Sequence, residues 1–407
     1  MRYILTGMLT LLLGPPGLTA QAQLPVLMTG GQSSMPPEWV DETTGHRLIR
    51  LTEAGNTRSF YFHNDPFLKS ADGQDDLMVY YGDVEGVSQL FTINLGTRVP
   101  RQITSAPGRK RGEILGKKRR EVFYQVQDTV FATHVDSRET RKVFVFPEDF
   151  KASITTLNAD ETKLAGTWAS PEKDSILAKH PSKGEFFDRI FDAKLLHKLF
   201  YIDIETGELE SIHAERTWLG HIQFSTTDPD LLMFCHEGPW HKVDRIWNID
   251  IATKEVKKIH ERTLHREIAG HEFWSWDGET IWYDLQIPRG ETFYLAGYDV
   301  TGGAMKKYAM DRNEWSIHFN ISPDQRLFAG DGGDPSQVAR AEDAQYIYLF
   351  EPRGNRLQST RLVDMQHHDY QLEPNVHFTP DQRWIVFRAN FEGSSHIYAV
   401  EIEPYQK

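Results

Sequence analysis

One short unit recurs along the chain and restricts the fold more than any other feature. A small or polar residue precedes an Asp-containing turn, and an apolar strand follows two to four residues later, as in SWDGETIWYD and FTPDQRWIVFR. A degenerate version, ILGKKRREVFYQV, has its turn near Lys118. Successive turns are 42 to 57 residues apart, with one gap of 68. The clear copies are anchored at Asp72, Asp160, Asp228, Asp277, Asp324 and Asp381.

Seven such units predict an all-β fold, a seven-bladed β-propeller. A four-stranded blade takes about 40–50 residues. A blade buries its faces only against its neighbours, so the ring must close. We expect residues 46–407 to form the propeller, with an N-terminal strand around His46–Thr52 pairing into the last blade. The frequent aromatic residues, 12% of the chain, also favour short strands over helices.

The first residues have the pattern of a secretory signal peptide. Met1 and Arg2 supply a positive end, residues 3–13 are an apolar run, and small residues precede cleavage after Ala20 or Ala22. We therefore expect residues 1–22 to be a signal peptide, residues 23–45 a flexible leader, and the protein to be exported, to the periplasm. No later apolar run approaches the about 20 residues of a membrane span.

The net charge of −13 argues against non-specific binding of nucleic acid, and an anionic ligand would need a local positive site. One basic cluster lies between Arg109 and Arg120, and a solvated hairpin is the simpler interpretation of it. The only cysteine, Cys235, cannot form an internal disulfide and lies in an apolar run typical of a buried strand. The oligomeric state stays open.

The long gap between turns contains residues 171–194, whose latter part has apolar residues at helical spacing. Phe186, Phe187, Ile190, Phe191 and Leu195 carry the pattern. This predicts a short helical insertion over one face of the ring, or alternatively a surface helix without a role.

Histidines lie beside many of the turns and strand starts. In a propeller, equivalent ends of successive inner strands converge on the axis although they are about 45 residues apart in sequence. Histidines collected in this way suit a metal site or a proton-transfer site, although any one of them is compatible with a structural role. They are His63, His221, His236, His241, His271, His318, His367, His368 and His377.

The strings WLGH (218–221), FCHEGPW (234–240), HEFW (271–274), SIHFN, GDGGD and EPNVHFTPD resemble the oligogalacturonate lyases, propellers of polysaccharide lyase family 22. The resemblance implies β-elimination on a short uronate oligomer. In that reaction a divalent ion, usually manganese, binds the substrate carboxylate while a histidine removes the C5 proton. It makes His221 the base and His271 a metal ligand, with His236 and His318 lining the site.

Two departures from the family pattern affect the site. Tyr370-Gln371-Leu372-Glu373-Pro374-Asn375 stands where the family has metal-binding histidines, so oxygen donors from Gln371, Glu373 and Asn375 would replace imidazoles. Such ligands suit Mn²⁺, with Ca²⁺ or Mg²⁺ as alternatives; Glu373 could equally brace a turn.

Leu196 occupies the place of a family arginine, and Lys198 or His197 would supply part of its charge but not its bidentate grip. Arg58 and Lys242 are further candidates for carboxylate binding, although surface or inter-blade roles suit both.

The sequence lacks G-x-S-x-G, P-loop and H-E-x-x-H motifs, which argues against a serine hydrolase, an NTPase and a zincin. We therefore predict a metal-assisted lyase acting on oligogalacturonate or a related uronide. The alternative is a non-catalytic propeller that binds an acidic oligosaccharide or a partner protein. The two differ in whether His221 and the metal-binding residues share one pocket.

Overall fold

The computed structural model describes residues 23–406, and their strands form seven blades around a central axis. The predicted all-β, seven-bladed propeller is confirmed. The predicted signal peptide, residues 1–22, lies outside the described residues.

The strands follow the repeat seen in the sequence. Three strands precede the first blade: β1 (Val26–Leu27), β2 (Glu38–Asp41) and β3 (His46–Arg50). Blades 1 to 3 contain β4 (Phe67–Lys69), β5 (Asp76–Val84), β6 (Val87–Asn94), β7 (Pro100–Gln102), β8 (Arg111–Gly116), β9 (Glu121–Val126), β10 (Thr129–His134), β11 (Thr140–Val145), β12 (Ala152–Leu157), β13 (Lys163–Ala169), β14 (His197–Asp203) and β15 (Leu209–Glu215).

Blades 4 to 6 contain β16 (Leu219–Phe224), β17 (Leu231–His236), β18 (Ile246–Asp250), β19 (Val256–Lys258), β20 (Ile268–Trp274), β21 (Thr280–Gln286), β22 (Phe293–Asp299), β23 (Met305–Met310), β24 (Phe319–Ile321), β25 (Phe328–Gly330), β26 (Tyr346–Arg353) and β27 (Arg356–Asp364). Blade 7 contains β28 (His377–Phe378), β29 (Trp384–Ala389) and β30 (His396–Pro404). Short 3₁₀ turns occupy Trp240–Lys242 and Arg312–Glu314.

The Asp turns connect the first two strands of each blade and are held by local hydrogen bonds. Ser275 Oγ donates to Asp277 Oδ1 at 2.6 Å, and Thr379 Oγ1 donates to Asp381 Oδ1 at 2.6 Å. The degenerate turn of blade 2 has no such aspartate, and Glu161 of blade 3 replaces it by accepting from the backbone N–H groups of Lys118 and Arg119 at 2.9 and 3.0 Å. All seven turns lie on one face of the ring, which we call the Asp-turn face.

The ring closes as predicted, because β3 pairs antiparallel with β30 in blade 7. The expectation of a flexible leader at residues 23–45 is wrong. This segment contains β1 and β2, and β2 pairs with β3. Trp39 is fully buried, and its Nε1 donates to Thr29 Oγ1 at 2.9 Å. Residues 23–45 are ordered because β1 and β2 pack over an apolar outer surface of blade 7.

The helical insertion is present as α1 (Glu172–Lys179) and α2 (Lys183–Ala193), between β13 and β14. It lies on the face opposite the Asp turns. The Phe187 ring is 5.2 Å from the Trp218 ring, and Phe191 lies against Gly238, where an added Cβ would come within 2.3 Å of its ring. Among residues 23–406, neither helix has the length and apolar character needed to cross a bilayer.

Candidate functional site

The site lies at the axis, on the face opposite the Asp turns, where the inner strands begin. Three of its residues share a rare backbone conformation: φ is +43° at His221, +49° at His271 and +54° at Asn375. The register of β16 shifts between Gly220 and Gln223, and that of β20 shifts between Gly270 and Phe273. Such bulges re-aim side chains, and here they occur where His221 and His271 enter the site.

His221 is placed against two buried carboxylates. Its Nε2 is 3.5 Å from Glu237 Oε1, and its Nδ1 is 3.9 Å from Glu272 Oε1. Arg245 is 1% exposed and holds both acids, donating from Nη1 to Glu237 at 2.7 Å and from Nε to Glu272 at 3.1 Å. The thiol of Cys235, buried as predicted, also donates to Glu272. The His221 side chain is 38% exposed, so a ligand can reach it.

These carboxylates remain ionised although they are buried. Burial alone would raise the pKa of Glu272, but the charges of Arg245 and His221 lower it to about 2. The pKa of Glu237 is lowered by the same two neighbours, against the opposing effect of burial. Two anions and one guanidinium thus leave a net negative charge beside the imidazole of His221.

His318 occupies the centre of the group and is fully buried. Its Nδ1 pairs with Asp331 Oδ2 at 2.8 Å, and its Nε2 is 3.1 Å from the hydroxyl of Tyr61. The Phe62 ring stacks on it with ring centroids 4.5 Å apart. Because both ring nitrogens have protein partners, His318 organises the site rather than offering a free nitrogen to a ligand.

Two further histidines have no hydrogen-bond partner within residues 23–406. Burial lowers the pKa of His63 to about 3, with the charge of His221 adding to the effect. Burial also lowers the pKa of His271, whose Nδ1 is buried without a partner and whose ring centroid is 4.8 Å from that of His318. Both imidazoles are therefore neutral at neutral pH, the form in which imidazole binds metal or accepts a proton.

The predicted metal ligands are only partly assembled. Asn375 is fully buried, its Oδ1 accepts from Phe62 N at 3.0 Å and its Nδ2 donates to the Glu373 carbonyl at 3.0 Å. Gln371 is exposed in a turn. The Glu373 carboxylate is 44% exposed, and its Oε2 is 3.8 Å from His318 Nε2.

Of the predicted set, His271 has a buried Nδ1 without a partner, and Glu373 has a partly exposed carboxylate that makes no hydrogen bond within residues 23–406. Within residues 23–406, no three His, Cys, Asp or Glu side chains are spaced to hold an ion. One imidazole and one carboxylate fit an ion such as Mn²⁺ or Mg²⁺, which fills its remaining positions with water or substrate oxygen.

Other predicted site residues lie away from the axis. His236 stacks on Trp247 at 4.8 Å and pairs with Glu215 at 3.2 Å. Lys198 lies over the Trp168 ring at 4.9 Å. His197 is 1% exposed, with Nδ1 3.1 Å from the Leu195 carbonyl.

Lys242 is exposed in a 3₁₀ turn. Arg58 stays at the edge of the site, over the Tyr81 ring at 5.2 Å.

Several residues that complete the site have no clear signal in the sequence. Tyr61 lies in YFHNDP, a string outside the repeats, and Arg388 lies in an otherwise ordinary strand. His63, in the same string as Tyr61, was among the candidate histidines. Glu272 and Asp331 could have been predicted, since both lie in strings that carry the family resemblance. The basic cluster is divided: Arg109 lies on the site face, while Lys117, Arg119 and Arg120 on the Asp-turn face pair with Asp65, Glu205 and Asp136.

Comparison with known proteins gives one consistent result. The family model described as oligogalacturonate lyase matches residues 33–405. An oligogalacturonide lyase from Pectobacterium atrosepticum is 24% identical over 378 residues, covering 89% of this chain and 95% of the relative.

Two solved structures superpose on most of this chain. An oligogalacturonate lyase in complex with manganese has a TM-score of 0.78 at 24% identity, covering 90% of this chain and 96% of that one. An oligogalacturonate lyase from Vibrio parahaemolyticus has a TM-score of 0.76 at 25% identity, with the same coverage.

Proposed function

The chain belongs to the oligogalacturonate lyase family, and we propose that it cleaves oligogalacturonate, or a related uronic-acid oligosaccharide, by β-elimination with His221 as the base. The observation that carries this role is the position of His221. It is an accessible imidazole beside two buried, ionised carboxylates, Glu237 and Glu272, and next to the free imidazole of His271.

The elimination needs a base that becomes positively charged. A ring nitrogen of neutral His221 takes the proton from C5 of the uronate, and the electrons of the C5–H bond form the C4–C5 double bond. The C4–O bond breaks, and its oxygen leaves with the electron pair and takes a proton from water. Glu237 and Glu272 stabilise the resulting imidazolium, as the buried aspartate of a catalytic triad does for its histidine.

The C5 proton is weakly acidic because removing it places negative charge next to a carboxylate. A divalent ion bound at that carboxylate would neutralise this charge. His271 and Glu373 are the residues that would hold the ion, and the manganese complex of the related lyase supports Mn²⁺ as the first ion to test. His318, bonded to Asp331 and Tyr61, contacts both of these donors.

The test is the ultraviolet absorbance of the unsaturated product when purified protein meets digalacturonate or trigalacturonate. We expect His221→Ala to lower kcat by about 10²–10⁴-fold, the usual contribution of a general base. His213→Ala, on the outer strand β15 and paired with Glu215, is the matched control and should act like wild type. A His221→Ala protein with wild-type kcat would remove His221 from the mechanism.

Metal removal is a separate prediction. A chelator should abolish the absorbance rise, and Mn²⁺ should restore it. Added Mn²⁺ should also raise the Tm of wild type but not that of His271→Ala, because ligand binding to the folded state alone stabilises it. An unchanged Tm in wild type would exclude this site for the ion.

A non-catalytic propeller would give a different pattern. It would bind acidic oligosaccharide in calorimetry without forming unsaturated product, and His221→Ala would bind equally well. The free nitrogens of His63 and His271 favour the enzyme, since purely structural buried histidines are normally hydrogen-bonded.

The N-terminal sequence supports export to the periplasm, where the substrate would be short pectin fragments. N-terminal sequencing of the mature protein from the periplasmic fraction tests this, with cleavage expected after Ala20 or Ala22. A protein found in the cytoplasm with Met1 retained would contradict it.

A further inference from the structure

Lys173, in the first turn of α1, lies close to the base of the proposed reaction. Its Nζ is 5.2 Å from the centre of the Trp218 ring. The carbonyl of Trp218 accepts from the backbone N–H of Glu237 at 2.7 Å, and Glu237 Oε1 is 3.5 Å from His221 Nε2. This series of contacts places the ammonium group at the rim of the site, on the side of His221.

Packing of the helical insertion fixes the position of this lysine. The Phe187 ring of α2 is 5.2 Å from the Trp218 ring, and Phe191 lies against Gly238. Trp218 comes just before β16 and Gly238 just after β17, so the insertion is docked where these two strands reach the site face. Lys173 therefore belongs to a packed cover over this part of the site.

The ammonium group of Lys173 is half-buried, and its protons are not engaged. Within residues 23–406, its Nζ forms no hydrogen bond and no ion pair. Burial lowers the pKa of Lys173, and the charges of Glu237 and Asp174 oppose this effect only in part. Glu237 is itself bound to Arg245 at 2.7 Å, and Asp174 is exposed. A lowered pKa makes the ammonium a stronger acid, while contact with the aromatic ring favours its charged form.

The proposed elimination lacks a strong proton donor for the leaving oxygen. Water has a pKa of about 15.7, whereas the ammonium of a lysine ordinarily has a pKa of about 10.4. The two carboxylates beside His221, Glu237 and Glu272, are ionised and have no proton to give. Burial raises the pKa of the Tyr61 phenol well above its usual value, which makes it a weaker acid. A cationic donor at the rim of the site would fill this role.

The stereochemistry of galacturonate requires the acid and the base to lie on opposite sides of the sugar. In its chair form the C5–H and C4–O bonds are axial and point to opposite faces of the ring. His221 belongs to the inner strand β16, whereas Lys173 belongs to α1, which lies outside the blades on the same face of the protein. A uronate bound between them presents C5–H to His221 and C4–O to Lys173.

We propose that Lys173 is the general acid of the elimination and protonates the leaving oxygen, so that water serves as the donor only when this lysine is removed. The inference rests on the proposed lyase function and adds a second catalytic residue to it. While His221 takes the C5 proton, the C4–O bond breaks and its oxygen takes a proton from the ammonium, which becomes a neutral amine. The imidazolium then returns its proton to the amine through water, and both groups regain their starting states.

The experiment compares two leaving groups. Digalacturonate releases a sugar oxygen that must be protonated, whereas galacturonate with a 4-nitrophenyl ether at C4 releases 4-nitrophenolate, which is stable as an anion. Lys173→Met should lower kcat/KM on digalacturonate by about 10²–10⁴-fold, the usual contribution of a general acid. On the nitrophenyl ether the same variant should stay within about threefold of wild type, because that leaving group needs no proton.

Lys173→Arg separates proton donation from charge. Arginine keeps a cation over the Trp218 ring but does not release its proton at neutral pH, so this variant should be as slow on digalacturonate as Lys173→Met. Wild-type activity in Lys173→Arg would show that the charge alone matters and would overturn the proposal. Lys179→Met, exposed in the last turn of the same helix, is the matched control and should act like wild type on both substrates.

Equal losses on both substrates, or no loss on digalacturonate, would likewise remove Lys173 from the chemistry. Melting temperatures of the variants identify any loss due to misfolding. Ethylamine added to Lys173→Ala provides an independent test, since its ammonium form should raise activity on digalacturonate by at least about tenfold without affecting the nitrophenyl ether. Absence of this rescue would count against the proposal.

Failure of the lyase function itself gives a different result. Wild type would then form unsaturated product from neither substrate, and the proposed lyase and its general acid would both be wrong. An active wild type whose rates are unchanged in Lys173→Met would instead overturn the general acid alone.

Discussion

Single residues in strained conformations build this site. His221, His271 and Asn375 have φ between +43° and +54°, which costs a non-glycine residue about 1–3 kcal/mol. The surrounding blades impose this conformation, and it directs the accessible imidazole of His221 and the free imidazole of His271 into the site. Strain of this kind is typical of functional residues, and here it occurs at equivalent positions of blades 4, 5 and 7.

Asp284 is another residue held in an unfavourable state, and it leads to a prediction about pH. Its carboxylate is buried without a cation and accepts from Gln286 Nε2 at 2.7 Å and from Trp315 Nε1 at 3.2 Å. Burial raises its pKa to about 7, and these hydrogen bonds oppose the rise only in part. Because the pKa of Asp284 is higher in the folded than in the unfolded state, its protonated carboxyl contributes fully to stability below the unfolded pKa. This contribution is lost as the pH rises through about 7.

Asp284→Asn carries no charge, so the difference in unfolding free energy between variant and wild type should shift in favour of the variant by roughly 2–4 kcal/mol from pH 4 to pH 8. Denaturant titration at both pH values measures the shift, independently of any constant offset. The same substitution at exposed Asp192 on α2 is the control and should show none. A shift of opposite sign would mean that Asp284 is ionised and favourably placed.

At the scale of the element, each blade is organised by its first turn. Six turns carry their own aspartate, whereas the turn at Lys118 and Arg119 depends on Glu161 of the next blade. Glu161 is 7% exposed, so water does not readily replace it. Its carboxylate therefore joins blades 2 and 3 at the Asp-turn face.

Glu161→Ala should lower the unfolding free energy by about 1–3 kcal/mol, because two backbone N–H groups lose their acceptor in a buried place. Glu205→Ala is matched to it, since Glu205 also contacts Arg119 but is 68% exposed. That variant should lose less than about 1 kcal/mol, as exposed ion pairs do. Equal losses in chemical denaturation would show that the turn does not need Glu161.

At the scale of the whole molecule, the ring is closed and then covered by the N-terminal segment. β3 completes blade 7, and β2 carries Trp39 onto the Tyr398 ring at 6.0 Å. The backbone N–H of Met35 donates to Glu392 at 3.0 Å, which also accepts from Arg50 at 2.7 Å. The two ends of the chain are thus connected by more than the closing strand.

Trp39→Ala should lower the unfolding free energy by roughly 3–5 kcal/mol, the range for removing a buried tryptophan. Trp39→Phe should lose less, because it keeps the aromatic contact and gives up the hydrogen bond to Thr29. A loss below about 1 kcal/mol for Trp39→Ala would mean that residues 23–45 are the flexible leader the sequence suggested.

The amino-acid sequence by itself determined the number of blades, the closing strand and the helical insertion. Those features depend on local chemistry: turn residues next to apolar strands, and apolar residues at helical spacing within residues 171–194. It also singled out His221, His271 and Glu373, because they lie in strings with a family resemblance. The sequence did not reveal the burial of residues 23–45. A short polar segment with glycines and prolines has the same composition whether it packs on a hydrophobic surface or stays in solvent.

Only the tertiary structure decided which side chains meet at the axis. His236 is one strand away from His221 yet faces Trp247 and Glu215, whereas His63 and Arg388, which begin and end the ring, lie in or beside the site. The physical reason is that a residue's direction depends on bulges and strand register, which shift by one residue without a signal in composition. Which partner a charged side chain finds depends likewise on segments that only the folded ring brings together, as with Arg388, which donates to the backbone carbonyl of Glu373.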